Sequence, residues 1–387
     1  MNPAPRHPAS RPWPWWFTAT LAACPSPLAF ANPAGPAVVS GTASTSVSGA
    51  HLSITASHNA VLQWNSFNIA PGESTQFIQP SASSVVWNHI ADQNPSQIFG
   101  SLSANGTVVL INPSGFHFGP EAHVDAAGLV VSTANATPIE SSAGLFWQFQ
   151  GAPPQASIIN YGHIQTSPGG SLFLIAENIA NHGTLAAPAG SIGLASGKEV
   201  LLSQRPDGRG LSTSVTLPSG SIQNSGQITA DAGTIALHAR VVNQSGSIQA
   251  NSVREHKGVI ELLASDSIHL AASSSLSAQG DASTPSTGGE VIAKADRLFT
   301  DAVGSRIDIR GGASGGDGGR AEICAPQIPA IHTRVDGTAV AGSRGGQLYI
   351  DPQDIILGNT GTGSVGNGTV NPNDPPATGA LNLDIGT

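Results

Sequence analysis

NYGHIQTSPGGSLFLIAENIANHGTLAAPAGSIGLAS, residues 160–196, decides the fold. Asn160-Tyr161-Gly162-His163-Ile164 is followed by Gly170-Ser171-Leu172-Phe173-Leu174. The same order returns as Asn181-His182-Gly183-Thr184-Leu185 and Gly190-Ser191-Ile192-Gly193-Leu194. The unit is N-x-G-x-[IL], a short turn, then G-x-[IL]-x-[LA]. It recurs as Asn224-Ser225-Gly226-Gln227-Ile228 with Gly233-Thr234-Ile235-Ala236-Leu237. A further copy, read with one inserted residue, is Asn243-Gln244-Ser245-Gly246-Ser247-Ile248 with Gly258-Val259-Ile260-Glu261-Leu262. Degenerate copies stand at Gly289–Ala293 and Gly346–Ile350. A period near twenty residues matches one coil of a β-helix.

The alternation sets Ile and Leu on one face of each strand and Ser, Thr, Gln or His on the other. One coil buries too few apolar side chains to stand alone, so stacking must make the core continuous. Equivalent Asn residues on successive coils are placed to share amide hydrogen bonds. Residues 32–350 at this period predict about sixteen coils. Helical solenoids would need long apolar stripes at i, i+3, i+4, and these are absent. The predicted class is all-β: a right-handed single-stranded parallel β-helix with an N-terminal cap and short extra-helical β elements. The Trp- and Pro-containing stretch from Leu62 to Thr133 is expected to form the first coils of the rod and its cap, and Trp64, Phe67, Phe77, Trp87 and Phe99 are expected core and cap residues.

Composition agrees. Only 10% of the 387 residues are charged, and 39% are hydrophobic, too many for a disordered chain. A net charge of −9 with 15 Lys+Arg argues against nucleic acid as a partner.

The N-terminus reads as an export signal over residues 1–31. Arg6 and Arg11 form a basic start, Trp13 to Leu28 is apolar, and Ala29-Phe30-Ala31 is a small-x-small cleavage site that leaves Asn32 first. The alternative is lipoprotein processing at Leu21-Ala22-Ala23-Cys24. This segment implies the Sec translocon and signal peptidase as partners. Loss of Cys24 with the signal would leave Cys324 alone, without an intrachain disulfide.

Catalytic patterns are missing: there is no G-x-S-x-G and no H-E-x-x-H. A β-helix polysaccharide lyase or hydrolase would need acids clustered in a groove. Asp92, Asp125, Asp231 and Asp266 are single and dispersed, so no catalytic residues and no cofactor are expected. His117 and His123 flank Glu121, but no Cys/His cluster has zinc spacing, so no metal is expected. Gly311–Gly319 (GGASGGDGG) lacks the Lys-Ser/Thr of a phosphate loop and reads as a surface loop.

Four pieces carry a family resemblance: Trp64-Asn65-Ser66-Phe67-Asn68-Ile69, Phe77-Ile78-Gln79-Pro80, Asn94-Pro95-Ser96-Gln97-Ile98 and Ile111-Asn112-Pro113-Ser114-Gly115. In this order, behind a signal, the chain resembles the N-terminal region of two-partner secretion exoproteins, the filamentous haemagglutinin group of Gram-negative bacteria. Ser114 stands where the group usually has a second Asn. The resemblance implies a secretion domain over residues 32–270, further coils over 271–350 and a Gly/Asn/Pro-rich linker or continuation over 351–387. It implies recognition by a cognate outer-membrane pore transporter with POTRA domains. The recognition or folding motif would be Asn94, Pro95, Ser96, Gln97, Asn112, Pro113, Ser114 and Gly115. It implies a secreted or cell-surface protein that reaches its place through the periplasm and outer membrane, and virulence-type adhesion to a host glycan or protein receptor. Haemolysin or haem-carrier binding is the alternative. As turns, both motifs also have a purely structural reading, since Pro suits the second turn position and Gly the last.

Overall fold

A computed structural model describes residues 32–141, 144–204, 211–352, 355–358 and 381–384. The expected signal residues Ala29 and Ala31 lie outside the described residues.

The described chain is a right-handed parallel β-helix with three sheet faces. The first face contains, in order, His51–Ala56, Ser74–Ile78, the front of Ser101–Ile111, the front of His123–Ser132, His163–Thr166, Thr184–Ala186, Gln227–Thr229, Ser247–Gln249, Ser275–Ser277, Arg306–Asp308 and Arg334–Asp336. That makes eleven rungs among the described residues, where the sequence period predicted about sixteen. The shortfall comes from long coils. Successive first-face strands His123–Ser132 and His163–Thr166 start 40 residues apart, and Thr184–Ala186 and Gln227–Thr229 start 43 apart.

Register makes the core. Leu52, Thr75, Leu102, Val124, Ile164, Leu185, Ile228, Ile248, Leu276 and Ile307 form one inward column, each paired with the next. All are buried. All but Thr75 are aliphatic, and burial of one such aliphatic is worth about 1.5–3 kcal/mol. The corners are narrow. A Cβ on Gly183 would sit 2.2 Å from the Gly162 carbonyl, and on Gly226 2.1 Å from that of Gly183. The repeat's Gly is therefore required by backbone-to-backbone approach.

The two long coils each eject a β-hairpin. Asn135–Ser141, Gly144–Gln150, Gly197–Gln204 and Leu211–Pro218 form a four-stranded antiparallel sheet outside the helix. It covers the outer side of the second face, which runs through Ala60–Trp64, Val85–Ile90, the back of Ser101–Ile111, the back of His123–Ser132 and Ser171–Ile175. Val85, Trp87, Val109, Val130 and Phe173 from the helix meet Trp147, Phe149, Val200 and Leu202 from the sheet. Trp87 and Trp147 meet edge-on at 5.1 Å. The rule of one apolar and one polar face fails here: these strands are buried on both sides, which is why they read as near-continuous apolar runs such as Val108-Val109-Leu110-Ile111.

The cap also differs from expectation. Residues 62–133 are the first coils, as expected, but they are not the cap. The cover lies ahead of them: Ala37–Ser40 runs antiparallel to Ala60–Trp64, and Ala43–Ser48 antiparallel to His51–Ala56. These antiparallel strands satisfy edges that would otherwise template another chain. Asn32, the expected first mature residue, donates to the Ala50 carbonyl and accepts from Thr75 Oγ1.

Candidate functional site: a corner of stacked turns

The motif pieces that are far apart in sequence stack on one corner of successive coils. Asn68 Oδ1 accepts from the Gln97 amide at 2.7 Å. Asn112 lies one coil further and is completely buried. Its Nδ2 donates to the Asn94 carbonyl at 3.2 Å and to Ser96 Oγ at 2.9 Å. Its Oδ1 accepts from the Ser114 amide at 2.9 Å, an Asx turn that shapes the corner. The Ser96 amide donates to the Gly115 carbonyl, and Ser114 Oγ donates to the Asp92 carbonyl. One side chain thus joins the two motifs, and the bonds run between turns as well as within them.

Gly115 has φ 111°, and a Cβ there would meet the Ser157 carbonyl at 2.6 Å. Two constraints, conformation and space, meet at that position. Ser114, the departure from the usual Asn, holds its bond to Asp92 through a hydroxyl. Ser96 is buried with Asn112, whereas Asn94, Pro95, Gln97 and Pro113 are exposed. The corner therefore has a buried network and a solvent-facing surface formed by the same motif.

The remaining motif pieces are structural by geometry. The buried indole of Trp64 donates to Asn88 Oδ1 at 2.9 Å, and Phe67 packs between Trp64 and Phe77. Phe99 is half-buried and meets His117 edge-on. Gln79 and Asn105 clasp each other through paired bonds of 2.7 Å between the Gln79 backbone and the Asn105 side-chain amide. Gly106 leaves the space that the Gln79 side chain fills. Asn105, Asn88 and Asp92 were not recognised as partners in the sequence. Asn105-Gly106, a turn dipeptide, was the available signal for the first.

The acids are occupied separately. Asp92 Oδ1 accepts from the Asn94 amide, Asp125 accepts from Gln165, and Asp231 accepts from Gln249 and the Asn251 amide. Asp266 binds Arg240 and Arg297, and the Arg297 hydrogen bond holds its carboxyl below the usual range. His117 meets Phe99 edge-on and Tyr161 at a tilt, and His123 stacks on His163. Among the described residues no three His, Cys, Asp or Glu side chains are grouped to hold a metal ion.

Fold and corner together define an all-β solenoid module. Comparison with known proteins places it. The family model of the TPS (two-partner secretion) secretion domain matches residues 29–284, and the chain belongs to that family. The family is a secretion domain of two-partner exoproteins and not an enzyme family. A heme/hemopexin-binding protein of Haemophilus influenzae is 28% identical over 249 residues, covering 60% of this chain and 27% of that protein. A second H. influenzae heme/hemopexin-binding protein is 34% identical over 90 residues, 23% of this chain and 10% of that one. The matched part thus spans about a quarter or less of these relatives. The crystal structure of the HMW1 secretion domain from H. influenzae superposes with TM-score 0.66 at 26% identity, covering 85% of this chain and 88% of that one.

Proposed function

We propose that the corner formed by residues 92–97 and 112–115 is the address of an exported protein, read by a cognate outer-membrane transporter with POTRA domains. In this reading Sec exports the chain and signal peptidase cleaves after Ala31. The transporter captures the chain, and the coils then fold outside. The observation that supports it is the double character of the corner. Asn112 is buried and holds both turns, while Asn94, Pro95, Gln97 and Pro113 present polar and rigid side chains to solvent.

The rod would act outside the cell or at its surface in adhesion to a host glycan or protein. A second reading, attachment of a haem carrier, is favoured by the names of the two relatives above.

Export with the partner pore co-expressed tests the corner. Pro113→Ala with Gln97→Ala should lower the amount in the medium while the purified variant keeps its thermal stability. Unchanged export of that stable variant would sink the recognition role. Asn112→Ala should lower export and stability together.

A further inference from the structure

The outer sheet covers only part of the second face, and a cavity lies along its margin. One outward column of that face runs Val109, Val130, Phe173, Gly193, Ala236 and Glu261, each paired with the next. The first three are large and packed beneath the outer sheet. At Gly193 the Phe173 ring and Thr213 Oγ1 take the space that a side chain would fill. Ala236, one coil on, is short, and a cavity of about 320 Å³ opens between Leu211–Pro218 and the second face. Phe173, Leu211 and Val259 give it apolar walls. Glu261 and Glu290 line it on the coils furthest from Phe173.

Its hydroxyls are not satisfied. Ser191 stands in the outward register, paired with Ser171 and Thr234, yet it is only 3% exposed. Its Oγ is buried without a hydrogen-bond partner, and so is Thr213 Oγ1 on the opposing strand. Buried hydroxyls are nearly always partnered. Two orphans lining one cavity therefore mark a place suited to the polar atoms of a ligand.

The lining selects the class. A hydroxyl both donates and accepts, whereas a carboxylate only accepts. Glu290 accepts from Arg320 at 2.7 Å and keeps lone pairs for a further donor. An occupant must bring hydroxyls to Ser191, Thr213 and the acids, and an aliphatic face to Val259 and Leu211. A negatively charged occupant would be opposed by the two carboxylates. The volume stands at the lower end of small-molecule sites.

We propose that this cavity is a subsite for one neutral sugar residue of a glycan. The proposal rests on the adhesion reading above and gives it a location on the rod.

Saturation-transfer NMR on the purified full chain tests it. The neutral probes are methyl β-galactoside, methyl β-glucoside and methyl α-mannoside, and N-acetylneuraminic acid is the anionic one. At least one neutral glycoside should receive saturation at its ring protons, and the anionic sugar none. Ser191→Ala with Thr213→Val should weaken binding about 10-fold. The same variant should keep or raise the unfolding midpoint, because the hydroxyls removed had no partner. Ala236→Leu, which fills the floor, should abolish binding. Silence of all three neutral probes, equal transfer to the anionic sugar, undiminished binding in either variant, or a lowered midpoint in the double variant would overturn the subsite. Equal retention of parent and variants on immobilised neutral glycans would refute the subsite and leave the adhesion reading standing.

Discussion

The first coils and the middle coils solve the same problem in different ways. Between Trp64 and Gly115 each corner is individual. Asn68 reaches Gln97, Asn112 joins two turns, and Gln79 clasps Asn105. Between Asn160 and Gln244 the corner is one repeated device. Asn160 Nδ2 donates to Asn181 Oδ1 at 2.8 Å, Asn181 to Asn224 at 2.8 Å, and Asn224 to Gln244 Oε1 at 2.9 Å. All four amides are buried in a column that begins with Ile98 and Phe118 and leads on to Leu270. An amide is both donor and acceptor, so a column of them satisfies itself at any length. Individual corners carry surface information that a repeated one cannot. In the function proposed above, the first coils address the protein and the later ones extend it.

The repeated device has least tolerance at its glycines. Gly183→Val would drive a side chain into the Gly162 carbonyl, which is backbone and cannot swing away. We expect a loss of about 3 kcal/mol, the upper range for overpacking. Denaturant unfolding measures it. A loss under half that size would mean that the coils can slide apart, and the close-approach argument would fail. Stability here is carried by nearest neighbours, so the defect should divide the stack at that coil.

Next comes the amide column. Asn181→Ala leaves the Asn224 oxygen without its donor and takes an acceptor from Asn160. About 2 kcal/mol should be lost, as for a buried polar group left unpaired. Asn112→Ala in the first coils should cost about 1–2 kcal/mol, but with a different readout. It should lower export, whereas Asn181→Ala at matched stability should export normally. If the two behave alike, the division between addressing and extending coils is wrong.

The middle coils were legible because repetition exposes spacing. The N-x-G-x-[IL] period yielded the fold class, the Asn column and the glycine corners. One register differs from the repeat's spacing. The pattern places Asn243 as the repeat's Asn with an insertion, but Gln244 pairs with Asn224 and Asn243 with Gln223. No residue is inserted. Gln244 extends one methylene further than Asn and still meets Asn224, while donating to the Gly246 carbonyl. A pattern built on residue identity missed a substitution that hydrogen-bond capacity allows. The first coils were legible only in pieces. Asn112 and Asn94 are near in sequence, but the bonds from Asn68 to Gln97 and from Gln79 to Asn105 span 29 and 26 residues. Such pairs become neighbours only when coil length is known, and coil length varies: the first-face strands of the first coils start 23, 27 and 22 residues apart, at His51, Ser74, Ser101 and His123. The outer sheet was hidden for the same reason: its strands interrupt the period.

The smallest expected effect is acid sensitivity, and it touches both regions. His89 in the first coils lines a pocket with Ile111, Pro113 and Asn135, and burial lowers its pKa. His238 in the middle coils is lowered by burial, with Asp296 partly opposing. A histidine with a depressed folded pKa binds its proton first in the unfolded chain. Stability is then full above the unfolded value, about 6.5, and declines as pH falls from there toward the folded value. His89→Gln and His238→Gln should each flatten the pH dependence of the unfolding midpoint between about pH 6.5 and 5. If the corner is the address, His89→Gln should also reduce the loss of export on mild acidification, because Pro113 lies beside that ring. His238→Gln should leave the export profile as it was. Equal flattening of export by both variants would place the acid response in the stack as a whole and remove the corner's separate role.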